Sequence, residues 1–393
     1  MIPAPTAISE TSIPQIMKKL GLVLLMAIIC LPSISQNDTT ESKKLTYDIS
    51  GFVNLNAIFD FNGLDNYDDF TTSQIPINPT PYENTFRFHM TARQSRVNLQ
   101  AGYDTPWGKI TGFVSGDFYS GNTSNISHFR LREAYLTMGK ILLGQTNTSF
   151  GNPNIVPLTI DFEGPNSAPT LRNPMIRFLS DIGKGWSYSL AIEMRGTDIQ
   201  TFPNTGNPFL AMPCLVGNIT NEGNWGAITL SGMADITRYF DADSNERHTY
   251  GYGGALSAII NTWDKNHFSV YIVGGNGIAD FISDLSGLGY NGVPNINTNK
   301  LHMLGCYGGF IGYTQYWSPK FSSNFIYSFI MLEQTNLLEG RDFKESDYAL
   351  ANLFYNPFPR IAFAVEYVYG KLIVQSSDSG TANRLQFLAQ YNF

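Results

Sequence analysis

The sequence predicts an all-β protein, a 16-stranded antiparallel transmembrane β-barrel whose third extracellular loop folds inward. Its 393 residues are 43% hydrophobic, 13% aromatic and only 15% charged. That low share of charge is unusual for a soluble domain. Short runs of alternating apolar and polar residues recur along the chain. Since side chains alternate across a strand, each run has one apolar and one polar face, as a barrel between lipid and water requires.

The N-terminal residues have the features of a secretory signal peptide. Two lysines precede an apolar run from Leu20 to Leu31, and small polar residues follow as far as Gln36. This run is too short to span a membrane as a helix. We expect translation to begin at Met17 and the mature protein to be exported. The predicted segments are the upstream residues and signal peptide 1–36, a short N-terminal segment 37–46 and the barrel 47–393.

Sixteen alternating runs predict sixteen strands. In the clearest run, Trp186, Tyr188, Leu190, Ile192 and Met194 share one face, while the intervening residues share the other. The runs lie at 47–60, 85–103, 109–119, 128–138, 140–146, 172–182, 185–195, 209–220, 225–237, 248–262, 266–278, 300–317, 320–333, 345–356, 360–374 and 381–393. An even number of such strands is typical of outer-membrane barrels.

The connections between the runs predict which end of the barrel carries the long loops. Short connections, such as 105–108 and 183–184, alternate with longer ones, and the longest of those is 147–170. All five tryptophans (Trp107, Trp186, Trp225, Trp263, Trp317) lie in or beside short turns. Because indole favours the membrane interface, they indicate an aromatic girdle at the short-turn end.

The end of the chain carries a further indication. The last run alternates down to a terminal aromatic residue, Phe393. This ending resembles the signal that outer-membrane proteins present to the barrel-assembly machinery, which we therefore expect to be a partner. A barrel of about sixteen strands also leaves an aqueous channel. Function is then expected to reside on the inward face and on any loop folded within it.

Arginines cluster on the predicted strands around loop 147–170. Eight of the 13 arginines fall between Arg87 and Arg195. An arginine facing lipid would cost about 2–4 kcal/mol at the membrane midplane, so these side chains are expected to face water. A bulge near 93–94 would turn three of them inward together. The predicted pore-lining residues are Arg87, Arg93, Arg96, Arg130, Arg132, Glu133, Asp161, Glu163, Arg172 and Arg177.

Two interpretations of these arginines stay open. In the first, they pair with Asp117, Glu133, Asp161 and Glu163, which fixes the loop and stiffens the wall. In the second, a basic ladder opposes the loop acids Asp161 and Glu163 across the narrowest point and orients small charged solutes. Four acids of the first long loop are expected at the surface of the mouth; they are Asp65, Asp68, Asp69 and Glu83. The cysteines Cys214 and Cys306 are expected to be small buried hydrophobic residues.

Several segments resemble the DcaP-like porins of the Gram-negative porin group. They are DISGFVNLNAIFD (48–60), QSRVNL (94–99), GFVSGDFY (112–119), FRLREAY (129–135), LGQT (143–146) and DFEGP (161–165), followed by Arg172 and Arg177. The resemblance implies a sixteen-stranded trimer whose third loop folds into the lumen and which favours small anionic organic solutes. It also implies pore-lining roles for Arg96, Arg130, Arg132, Arg172 and Arg177. Once the predicted signal peptide 1–36 is removed, only about ten residues precede the first strand, and in this the chain departs from some members of the family.

The predicted function is passive diffusion of small hydrophilic, anionic solutes through a homotrimeric outer-membrane porin. An adhesin or structural barrel and a rim-located hydrolase are the alternatives. A hydrolase is disfavoured because the five histidines are scattered and no G-x-S-x-G motif occurs. The net charge of −7 provides no basic footprint for nucleic acid. No catalytic residue, cofactor or metal is predicted, and the outer-membrane lipid is the expected surroundings of the barrel.

Overall fold

The computed structural model describes residues 45–62, 64, 68–80, 85–106, 108–120, 127–203 and 213–393. The predicted signal peptide, the expected start at Met17 and most of segment 37–46 lie outside the described residues. Trp107, Asp65 and Glu83 also lie outside them.

The described residues form a sheet-rich chain with only short 3-10 turns besides its strands. The strands are β1 (Thr46–Asp60), β2 (Arg87–Thr91), β3 (Arg96–Thr105), β4 (Gly108–Asp117), β5 (Arg130–Met138), β6 (Ile141–Asn147), β7 (Arg172–Gly183), β8 (Trp186–Met194), β9 (Pro213–Gly223), β10 (Gly226–Phe240), β11 (Glu246–Asn261), β12 (His267–Asn276), β13 (Gly292–Asn295), β14 (Lys300–Met303), β15 (Gly305–Ser318), β16 (Phe321–Leu332), β17 (Phe343–Tyr355), β18 (Ile361–Val374) and β19 (Ser379–Asn392). No helix among these residues is long and apolar enough to cross a membrane.

Neighbouring wall strands pair in antiparallel fashion, and β1 pairs with β19, which closes the sheet into a barrel. Strands β2 and β3 both pair with β1, so they form one wall strand interrupted at 92–95, where we expected a bulge. Strands β13 and β14 form a separate hairpin. The described residues thus supply sixteen wall strands, which confirms the predicted number.

The predicted run 300–317 was wrong in its first part. It divides at Leu304 into β14, which pairs with β13, and β15, which joins the wall beside β12. Alternation continues through both pieces, so the pattern alone did not reveal the break. The division shortens the wall strand and leaves residues 277–304 as a long connection between β12 and β15.

The two faces of the wall differ as the alternation predicts. On β18, Phe363 and Tyr367 are each 47% exposed, whereas Ala364 and Glu366 are buried. The outer face of the sheet carries exposed Phe, Tyr, Leu and Ile residues on most strands. A face of this composition is suited to lipid, and the opposite face encloses polar and charged side chains. Cys214 and Cys306 are buried free thiols, as expected.

Short turns and tryptophans occupy the same end of the barrel, which confirms the predicted placement of the four tryptophans that the structure describes. Trp186, Trp225, Trp263 and Trp317 lie at the β7–β8, β9–β10, β11–β12 and β15–β16 turns, and each is 42–61% exposed. At the opposite end the connections are longer, apart from 241–245 and 375–378. Numbered in chain order at that end, the first loop is 61–86, the third loop is 148–171 and the sixth loop is 277–304.

These three loops pack against one half of the wall. Apolar residues from each loop join one buried cluster with residues of strands between β9 and β19. The loop members include Phe70, Ile75, Phe150, Ile155, Ile278, Phe281, Ile282 and Leu285. Burying each large apolar side chain contributes about 1.5–3 kcal/mol, so this cluster holds the loops firmly. The arginine-bearing strands β2–β7 contribute almost nothing to the cluster, and the charged residues therefore gather on their side.

Candidate functional site

Arg130 and Arg132 of β5 share one acidic partner on β4. The register places Asp117 opposite Arg130, and alternation brings Arg132 to the same face. Nε and Nη2 of Arg130 each donate to Asp117 at 2.9 Å, and Nη1 of Arg132 donates at 2.8 Å. The carboxylate of Asp117 is fully buried. One buried carboxylate therefore fixes two guanidinium groups, which still leaves net positive charge at this point.

Two aromatic rings lie against the guanidinium groups of these arginines. Tyr119, just after β4, stacks on Phe162 of the third loop with 4.4 Å between ring centres. The guanidinium of Arg130 lies 5.0 Å from the ring centre of Tyr119 and 5.5 Å from that of Phe162. Arg132 lies 5.2 Å from Phe162. Because the face of an aromatic ring attracts cations, the third loop meets the arginines through Phe162. Sequence patterns gave no signal for this contact.

Asp161 does not have the placement we expected. It is 1% exposed and faces away from the arginines of β5. Its carboxylate accepts the N–H of Phe70 and the hydroxyl of Tyr348, each at 3.0 Å. The N–H of Asp161 donates to Glu366 at 2.7 Å. Burial raises the pKa of Asp161 above its usual range. Asp161 therefore joins the third loop to the first loop and to β17 and β18, and does not oppose Arg130 or Arg132.

Three other carboxyl groups share one cavity with the arginines. Glu163 accepts the hydroxyl of Thr71 at 2.9 Å. Asp284 of the sixth loop accepts the hydroxyl and the N–H of Ser73 at 2.7 and 3.1 Å. Asp69 of the first loop is hydrogen-bonded by Tyr119. Each acid is therefore held by hydroxyl or amide donors from neighbouring loops.

These three carboxyl groups are also less acidic than usual. Burial, together with neighbouring acids, raises the pKa of Asp69 to about 7. Burial also raises the pKa of Asp284 to about 6, and burial with the charge of Asp284 raises that of Glu163 well above its usual value. Buried carboxyl groups near one another cannot all ionise freely. The charge on this side of the site consequently depends on pH near neutrality.

The prediction that Asp68 and Asp69 are surface acids at the mouth was wrong. Asp68 is 4% exposed and forms an ion pair with Arg93. Asp69 is turned inward toward Tyr119. The first loop folds back on the wall instead of standing out in solvent, since Phe70 and Ile75 belong to the buried cluster. Their apolar packing draws the adjacent acids inside.

The arginines and the three acids enclose a polar cavity of about 300 Å³. Strands β5 and β7 supply its basic side, and the first, third and sixth loops supply its acidic side. The lining residues are Asp69, Thr71, Ser73, Gln74, Tyr119, Arg130, Arg132, Phe162, Glu163, Thr170, Arg172, Ser283, Asp284, Ser286 and Leu288. Of the predicted residues, the structure brings Arg130, Arg132, Arg172 and Glu163 together here.

The remaining predicted residues have individual roles in the wall. Nη1 of Arg87 donates to the carbonyl of Leu64 at 2.8 Å. Arg177 donates to the carbonyl of Asn147 at the base of the third loop. The guanidinium of Arg96 lies 5.4 Å from the ring centre of Phe52. Glu133 accepts the hydroxyl of Thr146 at 2.5 Å.

The two open interpretations of the arginines therefore apply to different residues. Arg93 and Arg177 fix loops, since Arg93 pairs with Asp68 and Arg177 binds the base of the third loop. Arg172 lines the cavity, and its buried Nε has no hydrogen-bond partner among the described residues. Arg130 and Arg132 combine both properties, because they bind Asp117 and also face the cavity.

Two buried arginines, Arg195 and Arg384, form three ion pairs that sequence reasoning did not single out. Arg195, just after β8, binds Asp235 of β10 at 2.5 Å and Asp280 of the sixth loop at 3.0 Å. Arg384 of β19 binds Asp60 of β1 at 2.6 and 3.0 Å. Within the described residues, no group of His, Cys, Asp or Glu is placed to hold a metal ion. These pairs act in the framework around the cavity.

A closed barrel of sixteen antiparallel strands, with an apolar exterior and a charged interior, defines an integral outer-membrane β-barrel of the porin type. The chain belongs to the DcaP outer membrane protein family, whose model matches residues 31–393. This match confirms the resemblance found in the sequence and places the protein in the outer membrane. No curated protein sequence matches the chain.

Solved structures share the fold. The chain is similar to the outer membrane channel DcaP of Acinetobacter baumannii, with a TM-score of 0.75 and 21% identity over 91% of this chain and 100% of that one. It is also similar to an anion-selective porin from Comamonas acidovorans, with a TM-score of 0.59 and 12% identity over 89% and 100%. The trimer form of OmpT, an outer membrane protein of Vibrio cholerae, gives 0.55 and 12% over 89% and 99%.

Proposed function

We propose that this protein is an outer-membrane porin through which small hydrophilic, anionic solutes diffuse passively. The observation that carries the proposal is the arginine-lined cavity inside the barrel. Arg130, Arg132 and Arg172 line it from strands that contribute no residue to the buried apolar cluster of the loops. Fixed positive charge in a confined aqueous passage lowers the free energy of a permeating anion and raises that of a cation.

We also propose that the third loop sets the aperture. Its contacts with distant strands support this. Asn324 of β16 and Asn352 of β17 each donate to the carbonyl of Leu158 at 2.9 Å. Further along, the hydroxyls of Ser167 and Ser328 lie 2.8 Å apart. Asn324, Asn352 and Ser328 are buried on the face opposite the apolar exterior, which supports a course of the third loop across the lumen.

Planar-bilayer recording of the purified protein tests the function. We expect large, stable conductance steps and, in a salt gradient, a reversal potential of the sign that indicates anion preference. A folded protein that inserts without conductance would contradict the porin proposal and favour an adhesin or structural barrel. A cation-selective reversal potential would contradict the role of the arginines while leaving the channel intact.

The assembly and partners are proposals of the same kind. We propose a homotrimer, in line with the trimer form of the Vibrio cholerae neighbour.

The terminal strand β19 ends beside Gly51 of β1, where Phe393 N–H donates to the Gly51 carbonyl at 3.0 Å. We propose that the barrel-assembly machinery recognises this strand. The family and fold suggest a channel, and we propose that the protein has no catalytic activity of its own.

A further inference from the structure

The cavity has a basic wall and an acidic wall, and the structure describes no ion pair that joins Arg172 to Glu163 or Asp284 across it. Arg172 has no ion-pair partner among the described residues, and its buried Nε has no hydrogen-bond partner there. Across the cavity, the structure describes no arginine, lysine or histidine paired with Glu163 or Asp284. Buried charges in proteins are normally paired. Here, Arg172 on one wall and Glu163 and Asp284 on the other have no oppositely charged partner among the described residues, and a solute lying between them could supply both counter-charges.

Glu163 and Asp284 have neutral hydrogen-bond donors but no cationic partner among the described residues. Thr71 donates to Glu163, and Thr72 and Ser73 donate to Asp284. The acids repel one another, because Asp284 and Asp69 are the charges that act most strongly on Glu163. A positive group within ~4–6 Å would favour the ionised carboxylates. The observed donors are neutral, so an ammonium group of a solute would supply what the wall lacks.

We propose that the cavity binds small zwitterionic solutes, with their carboxylate on Arg172 and its neighbours Arg130 and Arg132, and their ammonium group on Glu163 and Asp284. This inference rests on the proposed porin function and specifies a solute class for the same cavity. A simple anion binds only the basic wall and brings no positive group to Glu163 and Asp284. A volume of about 300 Å³ is at the lower end of ligand pockets, which suits a molecule of amino-acid size.

The test compares three probes of equal chain length in planar bilayers with the wild-type protein. They are 4-aminobutyrate, which is a zwitterion, butyrate, which carries only the carboxylate, and butylamine, which carries only the ammonium group. Each is added at constant salt concentration, and the duration of transient current blocks is measured. We expect the longest blocks with 4-aminobutyrate. Equal block durations for 4-aminobutyrate and butyrate would overturn the inference.

Two variants test whether the acidic wall binds the ammonium group of the solute. Glu163→Gln and Asp284→Asn each keep the shape of the side chain and remove its charge. We expect each to shorten blocks by 4-aminobutyrate about tenfold, equivalent to about 1.4 kcal/mol, and to leave butyrate blocks unchanged or longer. The matched control is Asp378→Asn, because Asp378 is exposed between β18 and β19 and accepts the hydroxyl of Ser376. Unchanged 4-aminobutyrate blocks in Glu163→Gln would overturn the assignment, even if Asp284→Asn failed to fold.

Arg172→Gln tests the role of the basic wall. We expect shorter blocks for both 4-aminobutyrate and butyrate in this variant.

Different results would contradict the zwitterion proposal and the porin proposal. Absence of any conductance in the wild type contradicts the porin. Normal conductance with anion preference, but without a longer block by the zwitterion, contradicts only the inference made here.

Discussion

The guanidinium group of Arg132 lies 5.2 Å from the ring centre of Phe162, which joins strand β5 to the tip of the third loop. The same ring stacks on Tyr119 and lies within 5.5 Å of Arg130. Because the contact is aromatic, the arginines are not neutralised by it. The loop is thereby held against the basic wall, while Arg130 and Arg132 still line the cavity.

Phe162→Ala is expected to increase single-channel conductance and open-channel noise. The change removes cation–π contacts worth about 0.5–2 kcal/mol each and opens space beside the arginines. Phe162→Tyr is the control, since it keeps the ring. Conductance steps measured in symmetrical salt check the prediction, and an unchanged step size would mean that Phe162 lies away from the narrowest part.

Charge reversal at the basic wall, Arg132→Glu, should shift the ion preference toward cations. A change of two unit charges about 8 Å from a permeating ion is worth about 1–4 kcal/mol at effective dielectric constants between 80 and 20. The reversal potential in a salt gradient provides the measurement. Arg341→Glu is a suitable control, because Arg341 is an exposed residue between β16 and β17. If Arg132→Glu left the reversal potential at its wild-type value, Arg132 would be a structural residue only.

Asp117→Asn should destabilise the barrel and strengthen its anion preference. The carboxylate is fully buried and binds two arginines, so its removal leaves them without a counter-ion. The loss is expected to be about 1–3 kcal/mol, below the cost for a fully buried pair, because the Arg130 side chain is 35% exposed. Heat-dependent unfolding in detergent and the reversal potential measure the two effects. A more stable variant would contradict this account.

Anion preference is expected to increase as the pH falls from about 8 to about 5. The pKa of Asp69 is about 7 and that of Asp284 about 6, so both lose negative charge over this interval. The arginines of the cavity keep their charge, and the cavity therefore becomes more positive. The other charged groups acting on Asp69 are Asp68, Asp161 and Arg384.

Reversal potentials recorded at several pH values check this expectation. The combined variant with Asp69→Asn and Asp284→Asn is the control. It should show the low-pH preference at every pH and a weaker pH dependence. A wild-type preference that falls with decreasing pH would have the wrong sign and would exclude these acids as the controlling groups.

The sequence by itself determined the barrel. Side-chain alternation has a period of two, so apolar faces such as that of Trp186–Met194 mark wall strands without knowledge of their neighbours. The tryptophans marked the short-turn end, because the preference of indole for the interface acts on each residue separately. Inward placement of Arg130 and Arg132 followed from the same alternation.

Only the tertiary structure decided the composition of the cavity. Asp161 binds β17 and β18, whereas Asp69 and Asp284 line the cavity. This arrangement arises because the apolar residues of three loops pack on strands that are distant in sequence. Loop residues have no periodicity that predicts their partners. For the same reason, the hairpin β13–β14 and the contact of Phe162 with Arg132 became visible only once the loops were in place.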